Sequence, residues 1–169
     1  MGLRVVEVSR PATPGYFRAA HEGSGLLDWN TTAQRFGAQR NYWVSTASKA
    51  GRPHAMPVWG VWLDDRFLFS TSPQSRKARN LLVNPRVVVH LEDGHASIVI
   101  EGRARELSDS TQLLGFLAAY NPKYAWNFTL DDVKRGVFAV APETAFAWLG
   151  SDADSFGGTA TRWRFDTAH

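Results

Sequence analysis

The fold of this chain is decided by the stretch Ser70-Thr71-Ser72-Pro73-Gln74-Ser75-Arg76-Lys77-Ala78-Arg79-Asn80-Leu81-Leu82, followed by Asn84-Pro85. Ser72-Pro73 has the residue types of an N-cap and a first helical position, and Asn84-Pro85 those of a stop, so a short helix is predicted. Its early turns carry Arg76, Lys77 and Arg79, which the positive end of the helix dipole disfavours. A bound phosphate would offset that repulsion, because N–H groups, hydroxyls and cations converge at the helix start. A solvated basic face is the alternative.

The residues before this helix predict two strands joined by a tight turn at Asp64-Asp65. The first strand, from about Ala55 to Leu63, has apolar residues at both its odd and its even positions, which point to opposite faces. We therefore expect both of its faces to be buried, one by a barrel core and the other by a second subunit or a ligand. Pro57 cannot donate to a strand ladder, so it marks an edge or a bulge. Free backbone groups at such an edge suit a planar heterocycle with donors and acceptors on its rim.

A more specific pattern lies in four segments, which are Gly51-Arg52-Pro53-His54-Ala55-Met56-Pro57-Val58-Trp59, Ser70-Thr71, Ser75-Arg76-Lys77-Ala78-Arg79-Asn80-Leu81 and Asn84-Pro85-Arg86-Val87. In order and spacing they resemble the pyridoxamine 5'-phosphate oxidase-like split-barrel flavoproteins, in particular their flavin- and deazaflavin-dependent oxidoreductase branch. The resemblance runs from about Tyr42 to Leu107, with a weaker echo at Thr161-Arg162-Trp163-Arg164-Phe165. It implies a mainly β fold with a few helices, a split β-barrel of the FMN-binding type. Six or more antiparallel strands with two or three helices also favour a barrel over a sandwich.

The resemblance also implies a cofactor site. In that family, the strand from His54 to Trp59 lies along the isoalloxazine ring, Ser70 and Thr71 approach the ribityl chain or phosphate, and Arg76 with Lys77 holds the phosphate. A partner subunit completes the pocket. The implied cofactor-binding residues are His54, Ala55, Met56, Pro57, Val58, Trp59, Ser70, Thr71, Ser75, Arg76, Lys77, Asn80 and Trp148. Trp59 and Trp148 are the candidate walls of a ring or substrate pocket, whereas Trp43, Trp62 and Trp163 are predicted to pack inward.

These features predict a homodimeric oxidoreductase that moves a hydride between a flavin-type cofactor at the subunit interface and a small organic substrate. The cofactor carries the redox chemistry, so no catalytic acid, base or nucleophile needs to be visible. The favoured cofactor is the deazaflavin F420, because the Trp-, Arg- and Ala-rich style resembles members that use it and additional basic residues suit a polyglutamyl tail. FMN is the alternative cofactor. The alternative function is a non-catalytic flavin or deazaflavin carrier or a ligand-binding protein of the same fold.

The C-terminus argues against pyridoxamine phosphate as the substrate. True pyridoxamine phosphate oxidases end in a basic substrate-binding motif and an Arg-Leu-x-Pro tail, whereas this chain ends Arg164-Phe165-Asp166-Thr167-Ala168-His169. Oxidation of vitamin B6 is therefore not expected.

Composition limits the remaining function classes. At 169 residues and 44% hydrophobic content, the chain is expected to form one domain, residues 1–169, with an irregular lead-in over residues 1–27. Its net charge of +3 suits an acidic cofactor but is too weak and too dispersed to predict nucleic-acid binding. No cysteine is present, and the five histidines lack metal-ligand spacing, so no metal site is predicted. No apolar run approaches the roughly 20 residues of a membrane span, and the N-terminus lacks a signal-peptide core, so a cytoplasmic protein is expected.

The remaining elements follow from periodicity and turn residues. The sequence predicts a short helix capped by Asn30-Thr31-Thr32 with Ala33 and Phe36 inward, strands at 42–48, 87–92, 96–107, 137–141 and 144–149, a helix at 108–120 capped by Ser108 with Leu113, Leu114, Leu117 and Ala118 inward, a break at Pro142, a loop at 150–158 and a last strand at 161–165.

Overall fold

The computed structural model describes residues 3–11, 25–150 and 153–166, which form nine strands and four α-helices. In chain order the elements are β1 (Val5–Ser9), α1 (Trp29–Gly37), β2 (Tyr42–Ala47), β3 (Pro53–Val58), β4 (Gly60–Leu63), β5 (Arg66–Ser70), α2 (Arg76–Val83), β6 (Arg86–His90), β7 (Ile98–Glu106), α3 (Ser110–Tyr124), a 3-10 helix (Asp131–Val133), β8 (Val137–Ala147), α4 (Ala153–Thr159) and β9 (Thr161–Phe165). The strands form one antiparallel sheet in the order β1-β9-β8-β7-β6-β2-β3, to which β4 and β5 attach through β8.

A partner exchange along β8 bends the sheet into a barrel. One edge of β8 pairs with β7 along its length, while on the other edge residues 137–140 pair with β5 and residues 144–147 with β9. The enclosed core is rich in aromatic rings, and its largest fully buried side chains include Phe36, Tyr42, Phe67, Phe69, Phe138 and Trp163. The predicted mainly β, split-barrel fold is confirmed.

Helix α3 covers a second apolar cluster on the outside of β4, β5 and β8. Its buried residues are Leu113, Phe116, Leu117, Tyr120 and Tyr124. Leu113 and Leu117 point inward as predicted, but Leu114 and Ala118 are exposed, because the buried stripe follows the three- and four-residue spacing of a helix face.

The predicted ends of the helices need correction. Asp109, not Ser108, caps α3, its Oδ1 accepting the Gln112 N–H at 2.9 Å, and the helix continues through Pro122 to Tyr124. Asp28 caps α1 by accepting the Thr31 N–H at 2.8 Å, in place of the predicted cap at residues 30–32. Ala33 and Phe36 are buried as predicted.

The strand predicted from Ala55 to Leu63 is two strands separated at Trp59. Among the described strands, β3 pairs only with β2, at the sheet edge, while β4 pairs with β5 across a turn in which Asp64 and Asp65 have φ of 50° and 58°. Met56 is 46% exposed and Trp59 36% exposed in the single chain, so burial of the second face by another subunit or a ligand stays a prediction. The edge position inferred from Pro57 is confirmed.

The two ends of the chain are more ordered than the sequence predicts. Residues 5–9 of the expected irregular lead-in form β1, because they find a partner in β9 about 150 residues later, and no local pattern reveals that pairing. The predicted loop at 150–158 contains α4. Residues 12–24, with His21, and residues 167–169 lie outside the described part of the chain.

Pro142 does not interrupt β8. The register between β7 and β8 shifts next to Gly102, which faces Pro142, and a Cβ on Gly102 would overlap the Ala141 carbonyl oxygen. The glycine therefore accommodates the proline at a β-bulge, so two predicted strands become one.

Gly60→Ala tests the break between β3 and β4. An added Cβ would overlap the Phe67 ring and lie 2.7 Å from the Leu68 carbonyl oxygen, so we expect the free energy of unfolding to fall by about 1–3 kcal/mol. Gly94→Ala is the matched control, because nothing lies within 4 Å of its Cβ, and its effect should stay within about 0.5 kcal/mol. Urea denaturation measures both variants. Equal stabilities would contradict the packing described here.

Candidate functional site

Two cations occupy the first turn of α2. The helix begins directly after Ser75, whose Oγ accepts the Ala78 N–H at 3.2 Å. The cap predicted at Ser72 is wrong, because Ser72 belongs to a turn in which its carbonyl oxygen accepts the Ser75 N–H at 2.9 Å. Arg76 and Lys77 are thus the first two helical residues, where the dipole is most positive.

Thr71 joins the end of β5 to this helix start. Its N–H donates to the Gly136 carbonyl oxygen at 2.8 Å, and its hydroxyl donates to Ser75 Oγ at 3.1 Å and accepts from Lys77 Nζ at 3.4 Å. Gly136 has φ of 86°, and a Cβ there would overlap the Thr71 carbonyl oxygen. Only glycine suits this close approach, which gathers two hydroxyls and an ammonium group at one point.

A buried pair links the same helix to β3. Asn80 Nδ2 donates to Thr46 Oγ1 at 3.0 Å, and both residues are buried. Thr46 lies opposite His54 in the β2-β3 register. The sheet edge at His54 is therefore brought next to the start of α2.

The electrostatics of this site favour an anion. Within the described residues, neither Arg76 nor Lys77 forms an ion pair. Partial burial, together with the positive charges of Arg76 and Lys77, lowers the pKa of His54, and burial lowers the pKa of Lys77. The Nδ1 atom of His54 is buried and, in the part of the chain that the structure describes, has no hydrogen-bond partner. Positive charge without an acidic partner, beside the hydroxyl groups of Thr71 and Ser75, fits a phosphate group.

The outer edge of β3 offers backbone groups to a ligand. Pro53, Ala55 and Pro57 are alternate residues of β3, so their backbone groups face the same side of the strand. Prolines in an edge strand occupy positions whose nitrogen faces away from the neighbouring strand. Ala55 accordingly presents its N–H and C=O at the open edge, between two prolines that lack a donor. The edge resists pairing with another strand, yet it can bond the polar rim of a planar ring.

An aromatic corner lies beyond the other end of β3 and consists of Trp59, Tyr124, Trp126 and Arg40. Trp59 stacks on Tyr124 with ring centroids 4.7 Å apart, and Trp126 meets Trp59 edge-on at 6.1 Å. The Arg40 guanidinium carbon lies 5.3 Å from the centroids of both Trp59 and Tyr124. Sequence reasoning missed Arg40, because a basic residue in a short polar loop carries no signal of its neighbours.

Lys123 supports this corner from beneath. Its Nζ donates to the carbonyl oxygens of Gly37 and Gly60, both at 2.9 Å, and to the Tyr42 hydroxyl at 3.0 Å. The Tyr124 hydroxyl accepts the Gly60 N–H at 2.9 Å. Burial, with a smaller contribution from Arg40, lowers the pKa of Lys123 to about 8. Helix α3 thus holds both backbone groups of Gly60, immediately after Trp59.

Trp148 does not join the site within one chain. It follows the end of β8, where its Nε1 donates to the Gly94 carbonyl oxygen at 3.2 Å and its ring contacts Phe156. Ser70 pairs with Val137 at the opposite end of β8, about 36 Å away along the strand at a rise near 3.3 Å per residue. A pocket containing both would take Trp148 from a second copy of the chain.

The remaining conspicuous side chains have structural roles. Trp62 and Trp163 pack in the core as predicted, but Trp43 is on the opposite sheet face, stacked on His90 at 6.4 Å. Among the described residues, no three His, Asp or Glu side chains gather as a metal site would require. No helix in the described ranges is long and apolar enough to cross a membrane.

Comparisons with known proteins agree with this fold. Residues 31–149 match the family described as pyridoxamine 5'-phosphate oxidase, and no curated protein matches the chain significantly. Similar solved structures include an F420 reductase (20% identity, TM-score 0.53, covering 66% of this chain and 94% of that one), a FAD-binding protein from Mesorhizobium loti (20%, 0.58, 81% and 95%) and the heme storage protein HutZ from Vibrio cholerae (20%, 0.58, 72% and 93%). At these identities the likeness shows the fold alone, and the three titles name three different ligands.

The Lys123 contacts predict a pH dependence of stability. The folded pKa of about 8 lies below the ordinary 10.5, so between these values the folded chain binds fewer protons than the unfolded chain. The free energy of unfolding should therefore rise as the pH increases from 8 towards 10. Lys123→Met should reduce this rise, whereas Lys134→Met, at an exposed lysine paired with Asp131, should retain it. Urea denaturation at pH 7.5 and 9.5 measures the difference. The same rise in the Lys123→Met protein would contradict the assignment.

Proposed function

The chain belongs to the pyridoxamine 5'-phosphate oxidase family, and we propose that it is an oxidoreductase that transfers a hydride between a bound flavin-type cofactor and a small organic substrate. The supporting observation is the juxtaposition of Arg76 and Lys77, which have no acidic partner in the described chain, with the open backbone edge of β3. A phosphate fits the first feature and a planar polar ring fits the second.

Each part of the cofactor site has a distinct role. Arg76 and Lys77 hold the phosphate through charge-assisted hydrogen bonds, with Thr71 and Ser75 adding hydroxyl groups. The Ala55 N–H and C=O bond the rim of the ring, while Met56 and Val58 offer it apolar contact and exclude water. When bound, a flavin or deazaflavin supplies the hydride chemistry, so the chain itself has to bind, orient and desolvate.

F420 is the favoured cofactor and FMN the alternative. Both carry a phosphate that the α2 site accepts. Arg52 and Arg79 are exposed on the segments that flank this site, and they would suit the polyanionic tail of F420. The absorption spectrum of the purified protein separates the two cofactors, because a flavin gives two visible bands and a deazaflavin gives one.

Pyridoxamine phosphate is not the proposed substrate. The arginines of β9 already contact an acidic side chain, since Arg162 lies 2.7 Å and Arg164 3.6 Å from the carboxylate of Glu7. They are therefore poor candidates for the phosphate of a second ligand.

The alternative proposal is a carrier that binds the same cofactor without turnover. Among the described residues of the cofactor site, no side chain is placed as a general acid, base or nucleophile would be. This observation is compatible with both proposals. Oxidation of the reduced cofactor by an added acceptor, faster than without the protein, supports the enzyme. Its absence with a broad set of acceptors supports the carrier.

We further propose that the protein is a homodimer with the cofactor at the interface. Light scattering at micromolar concentration should give twice the chain mass, because β3 leaves Met56 exposed and Trp148 lies too far away to complete the same pocket. A monomer that still binds cofactor would remove the interface from the proposal.

Lys77→Gln tests the phosphate site. A charge-assisted hydrogen bond contributes about 1.5–3 kcal/mol, so we expect cofactor binding to weaken about ten- to a hundredfold with the fold intact. Lys134→Gln makes the same charge change at an exposed site and should leave the affinity unaltered. Calorimetric titration of cofactor-free protein with FMN and with F420 measures Kd. An unchanged Kd in folded Lys77→Gln protein would refute the assignment.

A further inference from the structure

We propose that the aromatic corner binds the second reactant, a planar aromatic anion, beside the cofactor site. The ligand's role as a reactant rests on the proposed function, but its binding is a property of the corner and is testable without turnover. Two aromatic faces and a guanidinium group meet there at the surface.

The corner is exposed, yet it is rigidly built. Trp126 is 47% exposed and Trp59 36% exposed. Tyr124 beneath them is 3% exposed, and its hydroxyl is fixed by the Gly60 N–H. The backbone N–H of Trp126 donates to the Asn121 carbonyl oxygen at 2.9 Å, and the preceding residue, Ala125, turns the chain with a φ of 51°. Large exposed aromatics held in this way bind a ligand with little loss of side-chain entropy.

The shape of the corner selects a planar ligand. Tyr124 covers one face of Trp59 in a stack with an interplanar angle of 5°. Trp59 and Trp126 are both exposed and their rings are inclined by 79°, so an incoming planar molecule can reach both. A flat ring can stack on one indole and meet the other at its edge, which are the two favoured aromatic geometries.

Arg40 gives the corner its preference for an anion. In the described residues it forms no ion pair, and its contacts are with the rings of Trp59 and Tyr124. Glu92 and Asp93 line a depression of about 240 Å³ that Arg40 also borders, but neither carboxylate has an oxygen within 4.0 Å of an Arg40 side-chain nitrogen. A guanidinium that lies beside aromatic rings and forms no ion pair keeps donors for a carboxylate.

The position of the corner relates it to the cofactor site. Trp59 directly follows the last residue of β3, and His54, near the cations of α2, lies five residues earlier, about 17 Å along an extended strand. A ligand at the corner therefore lies at the end of β3 opposite to the phosphate site. In this proposal Trp126, in place of Trp148, is the second aromatic wall of the substrate pocket beside Trp59.

Calorimetric titration with 2-naphthoate tests the inference, with 2-naphthamide as the neutral analogue of the same shape. Wild-type protein should bind naphthoate more tightly than naphthamide. Trp126→Leu should weaken both ligands about three- to tenfold, as expected for the loss of one stacking contact. Arg40→Gln should weaken naphthoate by about tenfold and leave naphthamide within twofold.

Two controls match these variants. Leu114→Ala removes an exposed apolar side chain of α3 away from the corner, and Arg35→Gln removes another cation that borders the same depression. Neither should change naphthoate binding by more than twofold. Failure of wild-type protein to bind naphthoate, or equal binding by all variants, would overturn the inference. FMN and F420 titrations of the same variants keep the two proposals separate, because cofactor binding that persists when naphthoate fails refutes the corner alone.

Discussion

Gly60 is the position on which the arrangement of this barrel depends. A side chain there would overlap the Phe67 ring, and its N–H and C=O are bonded to Tyr124 and Lys123 of α3. Because the chain is held at this residue, the strand before it leaves the core and becomes the open edge β3, while β4 stays inside and pairs with β5. The same bonds fix α3 against the sheet and place Trp59 on Tyr124. One glycine thus couples the core, the open edge of β3 and the aromatic corner.

The charge arrangement at α2 complements that edge. A helix start that carries Arg76 and Lys77 without an acidic partner in the described chain is costly for the free protein, since cations and the dipole repel each other there. In the same helix, the buried hydrogen bond from Asn80 to Thr46 fixes the position of α2 against the sheet, so the two cations are held in place despite this repulsion. Local electrostatic strain of this kind is typical of a binding site rather than of a surface optimised for stability.

Local signals in the sequence predicted much of the sheet and its motif residues, whereas long-range contacts decided the rest. The β2 strand, the Asp64-Asp65 turn and the β6-β7 hairpin follow from alternation and turn residues. The sequence predicted Ser72 as the cap of α2, whereas the structure has Ser75, whose hydroxyl is bonded by Thr71. The sequence alone does not tell which of the two serines makes that contact. Strand β1 depends on a partner at the far end of the chain, and the aromatic corner depends on Arg40 meeting α3. The motif residues of β3 and α2 come together as the sequence suggested, while Trp148 lies elsewhere.

The central claim is that the open edge of β3 and the start of α2 form one cofactor site. A crystal structure of the protein with bound FMN or F420 tests it most directly. The phosphate should lie within hydrogen-bond distance of Arg76 and Lys77, with the rim of the ring against the backbone of Ala55. A phosphate held by other residues, or a ring that does not touch β3, would contradict the claim.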